Sequence, residues 1–268
     1  MKFTKYYLSG YDLIFIENEK DFYRLNKDSA KLMCDRSRGV GAEGIFTIKQ
    51  KEGKMHQIEG FCKNGESMRD FSSASICASF VQFLRGEACR CLSGDEKSSF
   101  FTVFESSAGN TANVCCDMGC GDFKLKYPAV DRKTQLGNRI LTLTAVNLHG
   151  IHTVHFSEDK NRLNLFYLGE RTSENSLFEK RADLTLAQQV EYNQFCIDYY
   201  NKDGFHPSHS VFASVALCAC KTDRCKFNEE IEISVGQEKV FAVCEENGRV
   251  IVQCEVQKVY SGEYEISC

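Results

Sequence analysis

Proline is nearly absent from this 268-residue chain: Pro128 and Pro207 are its only two. So few exclude a proline-rich linker between domains. Tryptophan is missing altogether, and 20 Phe and 11 Tyr carry the aromatic packing. Basic charge is not in excess. The chain has 33 Lys and Arg against 37 Asp and Glu, a net charge of −4, so no positive field invites a nucleic acid. No apolar run approaches the length of a membrane span, so no membrane partner is expected. Near the N-terminus, Leu13-Ile14-Phe15-Ile16 has the length of a strand. It is too short for the core of a signal peptide.

What is present is ordinary in balance, with 43% hydrophobic and 26% charged residues, as in a globular protein. The length suits about two domains. Cysteine is plentiful, at 15 residues, an odd number in a chain long enough to bury its own core. These features predict a cytoplasmic protein with reduced thiols. The tightest cysteine groups are Cys89-Arg90-Cys91, and Cys218-Ala219-Cys220 with Cys225. Neither supplies the two closely spaced pairs of a zinc module, so no metal is expected.

Alternating or apolar runs predict strands at Asp12–Glu17, Gly44–Lys49, His56–Phe61, Phe100–Glu105 and Thr111–Asp117. The second half adds Ile140–Val146, His152–Phe156, Phe195–Tyr200, Glu230–Val235, Val240–Cys244, Val250–Cys254 and Val256–Tyr260. Helices are predicted at Asp21–Asp35, Ser72–Leu84 and Ser208–Lys221. The last two open on serines, and Ser72 or Ser73 and Ser208 or Ser210 are the expected caps. Strands, a long helix and strands occur twice, which predicts an α+β fold of two similar halves.

Read in order, seven segments resemble the diaminopimelate epimerase family. They include KFTKYYLSGYDLIFI at the start, CDRSRGVGAEGI from Cys34, and FCKNG from Phe61. Ser107-Ala108-Gly109 followed by Asp117-Met118-Gly119, VNLHGIHTVHF from Val146, FEKRADLTLAQQV from Phe178 and VQKVYSGEY from Val256 complete the series. The resemblance implies two pseudo-symmetric halves, each a curved, mainly antiparallel sheet around a central helix. It places the first half at residues 1–120 with 261–268 and the second at 121–260, with an active site in the cleft between them. The family inverts an amino-acid Cα without a cofactor, and none is expected here. Two cysteine thiolates at the N-termini of the central helices exchange the proton from opposite faces. Such positions lower a thiol pKa and bind a carboxylate.

The positions that match the family's bases hold Phe71 and His209, and a one-residue slip places Ser210 at the second of them. A phenyl ring takes no proton. Cys77 matches a cysteine of the family, but ~9 Å further along its helix. Substrate-holding positions also differ: Tyr11, Cys62, Gly150-Ile151 and Asp183 replace asparagine-bearing motifs, Asn201-Lys202 replaces a Glu-Arg pair, and His152 is retained. The residues matching the family's substrate site are thus Tyr11, Cys62, Phe71, Ser72, Ser73, His152, Asp183, Lys202, His209 and Ser210. His209 competes with an ordinary exposed histidine at a helix start, and Cys62 is the first suspect for a displaced nucleophile.

The expected function is therefore a diaminopimelate-epimerase-like protein without epimerase activity. It would take a small amino-acid-like ligand, and form a homodimer or pair with an active paralogue. The alternative is an active isomerase with substitute bases. One form of it resembles the phenazine-biosynthesis isomerases, with Glu43 as the carboxylate.

Overall fold

The structure is a computed structural model, and it describes residues 1–17, 25–50, 56–86, 90–92, 99–106, 110–126, 129–178 and 182–265. The start of the predicted first helix, residues 21–24, and the motif Ser107-Ala108-Gly109 lie outside them. The chain is mixed α+β and divides into two compact units, Met1–Cys116 with Cys254–Cys268, and Asp117–Gln253. Both boundaries fall inside strands, four residues before the expected 120 and seven before the expected 260.

The first unit runs β1 (Lys2–Leu8), β2 (Tyr11–Ile16), α1 (Lys27–Cys34), β3 (Gly44–Gln50), β4 (His56–Cys62), α2 (Ser72–Leu84), β5 (Arg90–Leu92), β6 (Ser99–Ser106) and β7 (Thr111–Cys120). The far end of the last strand, β15 (Arg249–Glu263), returns to pair with β1. The strand order is β1-β2-β3-β4-β5-β6-β7-β15, and the β1–β15 pairing closes it on itself. Antiparallel pairs alternate with parallel ones at β2–β3 and β4–β5, where α1 and α2 make the crossovers.

Helix α2 packs against β2, β4, β5 and β6. Every residue from Ser72 to Gln82 is buried, so this is a helix enclosed on all sides. Its sequence, SSASICASFVQFL, explains how: serine, alanine and cysteine are small enough to let strands close in around it. Phe80, which is fully buried, contributes about 2–3 kcal/mol by leaving water.

The second unit runs β8 (Arg132–Leu136), β9 (Arg139–Asn147), β10 (Ile151–Phe156), α3 (Leu165–Ser173), β11 (Asp183–Glu191), β12 (Gln194–Tyr200), α4 (His209–Lys221), β13 (Glu230–Val235), β14 (Glu238–Cys244) and the start of β15. Helix α4 is buried from His209 to Cys220 and packs against β9, β10, β11, β13 and β14. Parallel pairs occur at β10–β11 and β12–β13, across α3 and α4. The sense of every pairing from β9 to β15 therefore repeats that from β1 to β7.

Several elements differ from the expectations. Strands β1, β5, β8 and β11 and helix α3 were not predicted as such. The two predicted C-terminal strands form one strand, β15. The caps differ as well. Phe71 is the N-cap of α2, at φ −96° and ψ 7°, and Ser72 and Ser73 lie inside the first turn. The Ser72 N–H is instead taken by Asp70 Oδ1 at 2.8 Å. Ser208 does stand at the N-cap of α4, without a side-chain cap to the helix backbone. Its Oγ lies 3.0 Å from Ser210 Oγ.

Candidate functional site

In the first unit, a two-residue hairpin positions Tyr11. Ser9 and Gly10 sit at φ 45° and 86° between the paired residues Leu8 and Tyr11. Two positive φ values make the tight turn whose twist matches the flanking strands. Tyr11 is buried among Cys62, Asp70, Glu43 and Cys34, and burial pushes its hydroxyl pKa well above the ordinary value. Next to it, Asp12 is gripped by both Arg36 nitrogens at 2.9 and 2.8 Å and by Lys5 at 3.0 Å. Burial raises the Asp12 pKa, but these hydrogen bonds outweigh it and hold the carboxyl below its ordinary value.

The segment after α1 delivers Arg36 and Glu43 to this place. Asp35 Oδ1 accepts from the Ser37 and Arg38 N–H groups, turning the chain. The Val40 and Gly41 N–H groups both donate to the Met33 carbonyl. Gly39 passes so close to α1 that a Cβ there would sit 2.1 Å from the Leu32 carbonyl oxygen. Glu43, 1% exposed, then meets Arg36 at 3.0 Å and Lys63 at 2.9 Å. Glu43 thus sits in an ion-pair network with the residues around it. Its carboxylate oxygens are engaged by these two cations.

Phe71, Ser72 and Ser73 form the start of α2. No thiol stands in its first turn. Cys77 lies deeper, fully buried, and burial pushes its pKa up. Cys34 is likewise pushed up to about 12, chiefly by burial and then by Asp12 and its other neighbours. Cys62, at the end of β4, is half-buried. A displaced nucleophile there gains no helix terminus.

In the second unit, the parallel register sets His152 of β10 beside Asp183 of β11. His152 is 4% exposed. Its Nε2 lies 3.2 Å from the Leu148 carbonyl oxygen and 3.1 Å from Ser210 Oγ. A carbonyl can only accept, which assigns the proton to Nε2. The bare Nδ1 lone pair is then buried with no hydrogen-bond partner. In this tautomer His152 cannot take the Ser210 proton at Nε2, so the pair is not an activated serine.

Asp183 accepts from Tyr199 Oη at 2.6 Å and Asn201 Nδ2 at 2.7 Å. Strand period explains this. Residues 199 and 201 share a face, and the β11–β12 register continues to bring 201 opposite 183. Tyr199 was missed in the sequence, although that alternation was there to be read. His209 is fully buried, against the expectation of an exposed helix-start histidine, and its ring tilts against Phe212 at 5.9 Å. Lys202 is exposed in the turn after β12. Thus His152 and Ser210 are in contact and Asp183 is the strand neighbour of His152, whereas Lys202 is exposed.

No family model matches this sequence. The diaminopimelate epimerase of Clostridium perfringens is 28% identical over 212 residues, covering 72% of this chain and 74% of that one. That of Nostoc punctiforme is 23% identical over 278 residues, 98% of this chain and 99% of that one. This chain is similar to the diaminopimelate epimerases. Solved structures share the fold of this epimerase-like chain. A predicted epimerase from Pseudomonas aeruginosa matches with a TM-score of 0.70 at 12% identity, covering 99% of each chain. A phenazine biosynthesis protein from Bacillus anthracis matches with a TM-score of 0.64 at 9% identity, again over 99% of each. Among the described residues of this diaminopimelate-epimerase-like protein, no three His, Cys, Asp or Glu gather as a metal site. No described helix is long and apolar enough to cross a membrane.

Proposed function

We propose that this chain is a diaminopimelate-epimerase-like protein that has lost two-base inversion and binds a small amino-acid-like ligand in the cytoplasm. It acts as a homodimer or paired with an active paralogue. The observation that carries this reading is the pair of helix starts. Phe71 caps α2, and Ser208-His209-Ser210 opens α4. Inversion requires a base on each face of Cα within hydrogen-bond reach of the proton. Neither helix start offers a thiol, and burial raises the pKa of Cys77 and of Cys218, the first thiols along α2 and α4. Catalytic groups that act as a unit lose nearly everything when one is removed.

The repeated succession of pairings supports reading the units as pseudo-symmetric halves. The partly exposed Asp183 carboxylate beside His152 suits a ligand bearing an ammonium group. A single-base activity is the second reading, with the His152 imidazole, in contact with Ser210, exchanging a Cα proton and returning it to the same face. Cα deuterium incorporation across a panel of amino acids separates the two. The proposal expects no incorporation. Incorporation with retention, abolished by His152→Ala, would support the single-base reading instead.

A further inference from the structure

Strand β8 is the last of the strand order, and among the described strands it alone has a strand on one side only. It pairs with β9 from Arg132↔Leu143 to Leu136↔Arg139 without a bulge. Gly137-Asn138 joins the two strands, with Gly137 at φ 61°. A two-residue turn closes on a hydrogen-bonded pair, so Leu136, Thr134 and Arg132 spend their backbone groups on β9. The N–H and C=O groups of Lys133 and Gln135 then point away from β9, to the open edge. Thr142, the partner of Lys133, fits this phase: its carbonyl turns away from β8 and accepts from His155 Nδ1 at 2.9 Å. Side chains alternate along the same edge. Thr134 and Leu136 are buried, whereas Arg132, Lys133 and Gln135 are exposed, as is Arg139 across the hairpin.

We propose that the β8 edge takes an extended, acidic segment of a partner protein as an added strand. The partner's backbone bonds to the open N–H and C=O groups of Lys133 and Gln135. Its carboxylates lie beside Lys133 and Gln135 on the exposed face, and its alternate, apolar residues lie beside Thr134 and Leu136. Charge selects this occupant. Arg132, Lys133 and Arg139 make the hairpin basic, and the neighbouring Asp131 carboxylate already lies 3.8 Å from Arg224. A second copy of this chain is the poorer fit. Antiparallel pairing about Thr134 would set Arg132 of one copy and Arg139 of the other on either side of one Leu136. Cations on an edge oppose such self-pairing and attract an acidic strand.

The test measures, by fluorescence anisotropy, the binding of two labelled decapeptides to the folded full chain. One alternates valine with glutamate, the other valine with lysine. The glutamate peptide should bind, more weakly as salt rises, and the lysine peptide should not. Lys133→Glu should weaken the glutamate peptide about tenfold and turn the preference towards the lysine peptide. Methylating the glutamate amide nitrogens keeps the charges, removes the N–H groups that face the edge, and should abolish binding. Equal binding of the two peptides, no binding of either, or binding that survives N-methylation or Lys133→Glu would overturn the proposal. So would a dimer, seen by sedimentation, that Gln135→Pro dissolves, since the edge would then belong to a second copy.

Discussion

Replacing Glu43 by glutamine isolates what this carboxylate does. The substitution keeps the shape and removes the charge, leaving Arg36 and Lys63 facing a neutral amide at positions now 3.0 and 2.9 Å from a carboxylate oxygen. Removing one partner of a fully buried ion pair costs about 3–5 kcal/mol. Here the cations have an escape, because the side chains of Arg36 and Lys63 are 53% and 31% exposed. Arg36 also keeps both of its bonds to Asp12. Solvent screening of the two cations brings the cost down to ~2 kcal/mol. With a urea dependence of ~2 kcal/mol per molar, the unfolding midpoint should fall by about 1 M. Circular dichroism follows the transition, since the chain has no tryptophan. Adding Lys63→Met should cost less than its effect alone, because the orphaned cation goes with it; the coupling should reach ~1 kcal/mol. An unchanged midpoint for Glu43→Gln, with altered Cα proton exchange, would refute the network and return Glu43 to a catalytic role.

Asp12 makes part of the stability depend on pH. Its folded pKa lies below the ordinary 3.8, so the unfolded chain takes up the proton first as pH falls. The contribution is complete above the ordinary value and disappears as pH drops through the folded one; Asp12→Asn should flatten the acid limb of a Tm-against-pH curve. Gly169→Ala sets two effects against each other. The alanine would gain ~1 kcal/mol of helix propensity, but its Cβ would lie 2.1 Å from Tyr200 Cγ, a ring already held edge-on to Phe166 at 5.6 Å. Overpacking should win by about 1–2 kcal/mol and lower Tm. Cys34, with its pKa pushed up to about 12, should resist alkylation at neutral pH until urea unfolds the chain; rapid labelling of the folded protein would contradict its burial.

The central helices were legible because small residues and serines cluster in them with helical spacing. Part of what escaped detection has a local cause. Strand β8, RKTQL, and the outer end of β11, QQVE, carry polar residues that only their neighbours make into strands. Helix α3 is nine residues with a central glycine, too weak a local signal to stand out. Of the ten positions to which the family resemblance pointed, His152 contacts Ser210 and lies in register with Asp183. The hydrogen-bond directions were not legible. That the Leu148 carbonyl fixes the His152 tautomer, and that Glu43 is locked between two cations, depends on residues brought together across strands. Asp70 took over the cap of α2 because Phe71, not a serine, occupies the capping position.

Loss of two-base chemistry means that this chain cannot invert a Cα centre. The decisive measurement is interconversion of LL- and meso-diaminopimelate by the purified full chain, followed by chiral separation over a range of protein concentrations. The wild-type protein should show none. Phe71→Cys should also show none, since one restored thiol leaves the opposite face without a base. Interconversion that rises in proportion to the wild-type protein, and vanishes in Cys62→Ala or His209→Ala, would contradict the loss of two-base chemistry.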